Sequence, residues 1–450
     1  AHNRCNLMWK NRKQCTQVRI PVIFHNLGGY DGHFLVRELS GATEEVSVIS
    51  KSLEKYINFN VGNLAFIDSL NFLSGSLDKI AQSNDSFPHL EKEFPNCPDL
   101  RQKGVYPYEY VTGLTVLDET ALPPRNKFYS GLREEGVSEE EYERAERVWS
   151  QFNCRTLGDY TKIYLHTDIL LLADVFETFR TMALTHYELD PAHYLTLPAF
   201  SWDALLKSTG VKLELITDPD MHMFIERGIR GGFAGIIHRY AEANNPYCPN
   251  YDSSRPNTFI TYLDANNLYG YAMSQPMPVC DFEWADISTI NDLDPNFGYI
   301  MEVDLEYPVN LHDCHSDFPL APENISLGDK DLSPYSLSLL TRKHTTQKLC
   351  QTLRPKFSYV VHHRALRLYL ELGLVCTRIH KVLQFKESAW MAPYIHKNNT
   401  FRQQARTAFE KDFFKLLNNS IFGKSIQNNR KQRDVRVITT REKLNKIQAK

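Results

Sequence analysis

The most constraining stretch of this chain is Thr258-Phe-Ile-Thr-Tyr-Leu263, followed by Asp264-Ala265-Asn266-Asn267-Leu268-Tyr269-Gly270. Six β-branched, aromatic and aliphatic residues in a row predict a buried strand, because such side chains pack well on a pleated surface. Asp264 ends that strand with a carboxylate, and Asn266-Asn267 supplies turn chemistry. A charged residue at the carboxyl end of a core strand faces a crevice. Taken alone, Asp264 reads equally well as the cap of the next helix.

At 450 residues the chain is long enough for two to four domains. A hydrophobic content of 42%, with 12% aromatic residues, argues for packed cores and against disorder. No apolar run reaches transmembrane length and no signal-peptide layout opens the chain, so no membrane partner is expected. The nine cysteines are scattered with no Cys-x-x-Cys pair, which reads as thiols of an intracellular reducing compartment. The net charge of −3 hides an asymmetry: residues 341–450 hold 24 Lys and Arg against 6 Asp and Glu. A basic last quarter behind an acidic front fits a phosphate-rich partner, or else a merely solvated surface.

Taken in order, residues 18–24 predict a strand, followed by His25-Asn26-Leu-Gly-Gly-Tyr30-Asp31 and an amphipathic helix. The glycine pair lets the backbone turn so that Asp31 stands at the helix start, as a site residue or as a simple cap. Residues 64–73 predict another strand running into Ser69-Leu70. Residues 84–137, with six prolines, read as a long connection, and 134–146 as an acidic helix with a solvated face. From 159 to about 187 the pattern is one helix with Ile163, Ile169, Leu170, Leu172, Ala173, Phe176 and Phe179 toward the core. Tyr164 and Asp168, four apart, share one of its faces.

Gly228-Ile229-Arg230-Gly231-Gly232 is a glycine turn that would also suit a phosphate. An acidic patch (Asp292, Asp294, Glu302, Asp304, Glu306) and a Pro/His/Cys-rich loop at 308–323 come next. Residues 358–363 and 378–385 read as strands flanking a helix at 365–372. One helix is expected over 399–419. Lys415, Asn419, Phe422 and Gly423 share one face, Arg402 and Arg406 lie further back, and Phe409, Phe413, Leu416 and Leu417 form the core side. A row of cations facing a cleft would hold a triphosphate, and the plain alternative, a basic amphipathic helix, is compatible with it.

Five of these blocks, in this order, resemble those of the protein-primed family B DNA polymerases, of organellar, viral and Maverick (Polinton) transposon type. His25 to Asp31 is similar to the second motif of their DEDD 3′–5′ exonuclease, and Tyr164-x-x-x-Asp168 to the third. Arg230-Gly231-Gly232 resembles the template-gripping junction, with Ile229 where those proteins place a tyrosine. Asp264-x-x-x-Leu268-Tyr269 resembles motif A, and Lys415 to Gly423 motif B.

The resemblance implies a mixed α/β fold: a ribonuclease-H-like exonuclease domain, then palm and fingers, incomplete at both ends. The implied divisions are a zinc-module tail at 1–17, exonuclease at 18–189, palm at 190–279, a terminal-protein-region insertion at 280–355, palm again at 356–386, fingers at 387–425 and a further segment at 426–450. It implies template-directed dNTP transfer to a primer 3′-OH, with two Mg²⁺ ions in each active site. Asp264 and the Ala265 carbonyl would hold metal in one, Asp31 and Asp168 in the other, where Tyr164 orients water.

Tyr269 would exclude a 2′-OH, while Arg402, Arg406, Lys415, Asn419, Phe422 and Gly423 would bind the nucleotide. His25, Asn26, Tyr30, Ser69, Leu70, Arg230, Gly231, Gly232, Ser420 and Lys424 would contact primed or single-stranded DNA. A terminal protein would serve as primer. Ala1-His2-x-x-Cys5-Asn6 resembles the end of a His/Cys zinc module whose remaining Zn²⁺ ligands would precede Ala1. No Asp-x-Asp hairpin of motif C follows Gly423, so the 450 residues alone are expected to bind DNA weakly and to catalyse neither reaction. An exonuclease with a vestigial polymerase, and a non-catalytic nucleic-acid scaffold, are the alternatives.

Overall fold

The computed structural model describes residues 19–38, 46–50, 56–288, 290–340, 347–428, 430, 438 and 441–449. His2 and Cys5, and with them the expected zinc-module tail, lie outside the described residues. The chain divides into two compact units, residues 1–210 with 393–450, and residues 211–392. Among the described residues no helix is long and apolar enough to cross a membrane.

The first unit opens with β1 (Ile20–Phe24) and α1 (Asp31–Glu38), then β2 (Val46–Ser50), β3 (Tyr56–Val61) and β4 (Leu64–Asp68). The sheet order is β1-β4-β3-β2, with β1 parallel to β4 and the rest antiparallel. Two short helices follow, α2 (Leu77–Ser83) and α3 (Pro88–Glu93). The connection to residue 137 then holds brief 3-10 turns and one antiparallel bridge, Ser130 with Glu135, but no further helix or strand, as its prolines predict. The acidic helix α4 runs Glu139–Gln151, starting later than expected because Ser138 and Glu141 form a reciprocal capping box.

The long helix is α5 (Leu157–Tyr187). Its buried side matches the expected one in part: Phe176 and Phe179 are buried, but Ile169 is 65% exposed, while Leu171, Val175 and even Asp174 are buried. Asp174 tolerates burial because its carboxylate accepts from the His89 and Leu90 backbone N–H groups, each at 2.9 Å, at the start of α3. After α6 (Leu197–Thr209), the unit resumes with α11 (Ala392–Gln404), α12 (Ala408–Ser425) and α13 (Arg441–Gln448). The expected single helix over 399–419 is therefore two. Thr407 and Glu410 make a capping box that starts α12, so Arg402 sits on α11 and Arg406 in the break between them.

The second unit begins with α7 (Pro219–Gly228), started by the Asp218 side chain, and α8 (Leu268–Met273). Its main sheet comprises β5 (Met277–Ala285), β6 (Gly298–Glu306), β9 (Lys356–His362) and β10 (Val375–Ser388), in the order β5-β10-β6-β9 and all antiparallel. The two-residue alternation separates two cores. Tyr299, Met301, Val303 and Leu305 pack on one face with Leu366 of α10 (His363–Glu371); Val360, Leu383 and Phe385 pack on the other with Phe224 of α7.

The segment 280–355, expected as an insertion, thus supplies β6 and most of β5 to the same sheet as β9 and β10. Two members of the expected acidic patch are engaged in ion pairs. Arg227 binds buried Glu302 at 3.0 Å, and His380 binds Asp304 at 2.8 Å. The Ser358 N–H and then His380 hold the Asp304 carboxyl below its usual range. Beyond β6 lie the strand pair β7 (Glu323–Ile325) and β8 (Lys348–Cys350), and the short α9 (Pro334–Ser338).

The Lys356 side chain is 0% exposed and rests on Glu323 Oε2 at 2.9 Å and on Thr352 O and Oγ1. Glu323→Ala leaves that ammonium without its counter-charge and is expected to cost about 2–3 kcal/mol of stability. The figure sits below that for a wholly buried pair because the Glu323 side chain keeps 26% exposure. Urea denaturation reads it, and Glu323→Ala with Lys356→Met should recover most of the loss.

Candidate functional site

In the first unit the turn after β1 is organised by a residue the sequence motifs did not single out. Asp68, at the end of β4, accepts from the backbone N–H groups of Asn26 (2.8 Å), Gly28 (3.2 Å) and Leu70 (3.0 Å). Because β1 and β4 are parallel, their carboxyl ends meet, and one carboxylate ties both loops. Asn26 is left-handed at φ 66°, and its side chain lies against Gly29, where a β-carbon would stand 2.5 Å from Asn26 Oδ1 and oblige that amide to move. Asp31 is the first residue of α1 and half-buried; Tyr30 beside it is 66% exposed and edges against Phe34.

The structure brings His25 and Ser69 together: His25 Nδ1 lies 3.0 Å from the buried Ser69 hydroxyl, and Nε2 lies 3.0 Å from the Gly75 carbonyl. Both ring nitrogens, and the hydroxyl expected at DNA, are thereby committed to the turn. Leu70 remains partly exposed. Burial lowers the His25 pKa, opposed by the Gly75 carbonyl and Asp68, and Lys103 lowers it further.

Lys103 connects this turn to α5. Its Nζ lies 3.1 Å from Asp168 Oδ2, and its charge is felt at His25. Asp168 Oδ1 is buried without a hydrogen-bond partner. Tyr164, one turn earlier, is buried, stacks on Tyr106 and shares a hydrogen bond with the Tyr108 hydroxyl. Burial first, then the Asp168 charge and Tyr108, push its phenol strongly upward, so it stays protonated. Lys103 and Tyr108 come from the proline-rich connection, where no periodic pattern flags them; Asp68 was visible in principle, as a carboxylate closing a strand.

Also in this unit, α12 presents Lys415, Asn419 and Gly423 to solvent and buries Phe409, Phe413, Leu417 and Ile421. Leu416 and Phe422 are intermediate, and Lys424 reaches Gln427 at 2.9 Å. Ser420, expected at DNA, instead has its hydroxyl 2.7 Å from Ser201 Oγ of α6. Arg402 and Arg406 are both exposed.

In the second unit the stretch around Asp264 departs from expectation. Residues 259–263 form no strand; Tyr262 is 92% and Leu263 86% exposed. The only bridge there among the described residues joins Asn244 to Thr258, and a strand without neighbours has no sheet to bury it. Asp264 and Ala265 are exposed. Asp264 does not cap α8: Asn267, left-handed at φ 54°, takes that position. The Asn267 amide folds beneath the helix, where a β-carbon at Gly270 would meet its Nδ2 at 2.2 Å. Tyr269 is half-exposed on the first turn.

Arg230, expected to hold a phosphate, is turned inward, 2.7 Å from the Val360 carbonyl and 4.0 Å above the Tyr359 ring. Gly231 and Gly232 are exposed, with open space where a β-carbon would be. Asp264 thus belongs to one unit, and Asp31, Asp168 and Lys415 to the other.

The donor sets match a metal only in part. Among the described residues no group of three or more His, Cys, Asp or Glu could hold an ion. Asp168 offers a buried, unbonded oxygen of the kind a cation would satisfy, but Lys103 already compensates its charge.

A family profile for DNA polymerase type B, organellar and viral, matches residues 12–449. The chain belongs to this family. No curated protein matches it. Among solved structures, phi29 DNA polymerase in an orthorhombic crystal form aligns with a TM-score of 0.50 at 14% identity, covering 92% of this chain and 60% of that one. Phi29 DNA polymerase complexed with primer-template DNA and incoming nucleotide substrates aligns with a TM-score of 0.49 at 14% identity, covering 90% and 59%. The chain therefore spans about 60% of the length of the polymerase it matches. The fold is the mixed α/β arrangement of that polymerase, as the motifs implied.

Proposed function

We propose that this protein is a DNA-directed DNA polymerase that adds dNTPs to a primer 3′-OH and carries a 3′–5′ exonuclease in its first unit. The observation that supports it best is the outward face of α12, in a chain of the type B polymerase family. Lys415, Asn419 and Gly423 are exposed there while the opposite side is committed to the core, so the cation serves something other than packing. A triphosphate fits, since Lys415 can neutralise it while glycine at 423 leaves room for the base pair. Arg402 and Arg406 add positive charge nearby in sequence. Tyr269 would lie under the sugar, and Gly231 and Gly232 would let a template backbone approach closely.

In the exonuclease, Tyr164 keeps its proton and can donate to the attacking water, with Tyr108 steadying its hydroxyl. Asp31 and Asp168 there, and Asp264 with the Ala265 carbonyl in the polymerase, are the groups that would hold Mg²⁺. When bound, the ions supply Lewis-acid activation of the nucleophile and relief of charge on the leaving group. Initiation from a protein primer is part of the proposal.

Primer extension and 3′-end degradation by the purified full-length protein test it. Extension with degradation is expected; degradation alone would mean a vestigial polymerase, and neither activity a scaffold. Lys415→Ala is expected to raise the dNTP KM about tenfold with duplex affinity nearly unchanged. A drop in DNA affinity and its salt slope, with KM constant, would make Lys415 a backbone contact instead.

A further inference from the structure

Beneath α12 runs a chain of buried polar groups in otherwise apolar surroundings. Asn398 of α11 is wholly buried and Asn418 of α12 nearly so. Asn398 Nδ2 donates to Asn418 Oδ1 at 2.7 Å, and Asn418 Nδ2 donates to Asn399 Oδ1 at 3.1 Å. The Tyr187 hydroxyl, at the end of α5, donates to Asn398 Oδ1. The Tyr394 hydroxyl is buried here too and makes no hydrogen bond, while the Ser420 hydroxyl of α12 donates to Ser201 Oγ of α6 at 2.7 Å. Four helices are thus joined by amides and hydroxyls, where Phe413, Leu417 and Ile421 would by themselves make an ordinary apolar seam.

We propose that this network is a positioning device that fixes the rotation of α12 about its axis, and so aims Lys415, Asn419 and Gly423 at the incoming nucleotide. The proposal rests on the nucleotide-binding reading of that face. Apolar seams are permissive, since phenylalanine, leucine and isoleucine can repack in several settings with little loss. Paired carboxamides are not. Turning α12 by one residue, about 100°, would leave Asn418 and Asn398 unpaired at low dielectric, the costliest packing error open to this junction. A single buried polar pair sets register in coiled coils for the same reason. Asn418 directly precedes Asn419, so the residue that locks the helix lies next to one that would touch substrate. Asn398, Asn418 and Tyr187 are positioning residues, not catalytic ones.

The test is the triple variant Tyr187→Phe/Asn398→Leu/Asn418→Leu. It removes the three mutually paired groups together at nearly constant volume; Asn399, which loses its Asn418 donor, is only half-buried, and the Tyr394 hydroxyl makes no hydrogen bond to lose, so the fold is retained. The dNTP KM is expected to rise about tenfold while kcat and primer-template affinity stay within about threefold. Hydroxyl-radical footprinting of the same protein should show Leu417 and Ile421 gaining reactivity. An unchanged KM overturns the proposal even if kcat falls, because loss of folded enzyme lowers kcat without moving KM. If the unaltered full-length protein does not extend primers, the polymerase reading fails on its own, and footprinting decides: an unchanged pattern overturns the positioning role and raised reactivity upholds it. Should the triple variant not fold, Tyr187→Phe alone removes one hydroxyl and carries both readouts, with KM expected to rise about threefold.

Discussion

Asp264→Asn in the full-length protein is expected to slow primer extension by about a thousandfold, equivalent to about 4 kcal/mol of barrier. The substitution keeps the shape of the side chain and removes one negative charge. It should leave the fold alone: Asp264 is exposed, forms no cap on α8 and lies on a stretch with no strand partner, so stability should move by less than about 0.5 kcal/mol. A large kinetic effect with no thermal shift would then report the charge itself. Burst kinetics at saturating dNTP, beside a primer-template binding curve, separate chemistry from binding. Extension at the unaltered rate would leave Asp264 with no role, since the competing one, capping the helix, is already taken by Asn267.

Much of the architecture is legible because it follows from local chemistry. The Asp31 helix start and the β9–α10–β10 succession appear where capping residues and apolar periods place them. The misreadings have common causes. Glu302 and Asp304 invite a surface reading by charge, yet they alternate with Met301, Val303 and Leu305, and that alternation is the better signal of a sheet strand. Asp174 is invisible as a core residue because its partners are backbone amides 84 and 85 residues away. The break before α12 could have been read from Thr407-x-x-Glu410, a capping box inside an apparently continuous helical pattern. The exposure of residues 259–263 could not. A strand's composition states what it can pack against, and its neighbours decide whether it does.

The candidate sites divide the same way. Motifs pick out residues by type and spacing, and so find Tyr164 and Asp168 as a pair on α5. They do not show which groups are already bonded. Ser69, His25, Arg230 and Ser420 all look available in sequence, and in the fold each is engaged within the protein. Lys103 shows the converse: an unremarkable lysine in an irregular connection becomes the partner of Asp168 only through tertiary contact.

Asp168→Asn in the full-length protein is expected to remove 3′–5′ degradation by about three orders of magnitude while primer extension stays within about twofold. Asp168 lies in the first unit and Asp264 in the second, so losing one carboxylate need not disturb the other reaction. The amide should also release Lys103, whose ammonium loses its counter-charge. Because Lys103 lowers the His25 pKa and Asp68 raises it, the balance at the turn is set by groups other than Asp168, and β1 and β4 should keep their pairing. Tyr164→Phe provides the graded companion: it removes one hydroxyl and is expected to cost about 10–100-fold, in the range of a single positioned proton donor. The upward shift of the Tyr164 phenol carries a pH consequence as well. A raised pKa keeps the neutral, donating form through the alkaline range, so the degradation rate should show no fall near pH 10 attributable to this group. Such a fall, absent in Tyr164→Phe, would show the phenol titrating at its ordinary value and would take Tyr164 out of the water-orienting role. If Asp168→Asn instead abolishes extension and degradation together, with a lowered melting temperature, the carboxylate serves the packing of α5 and not hydrolysis.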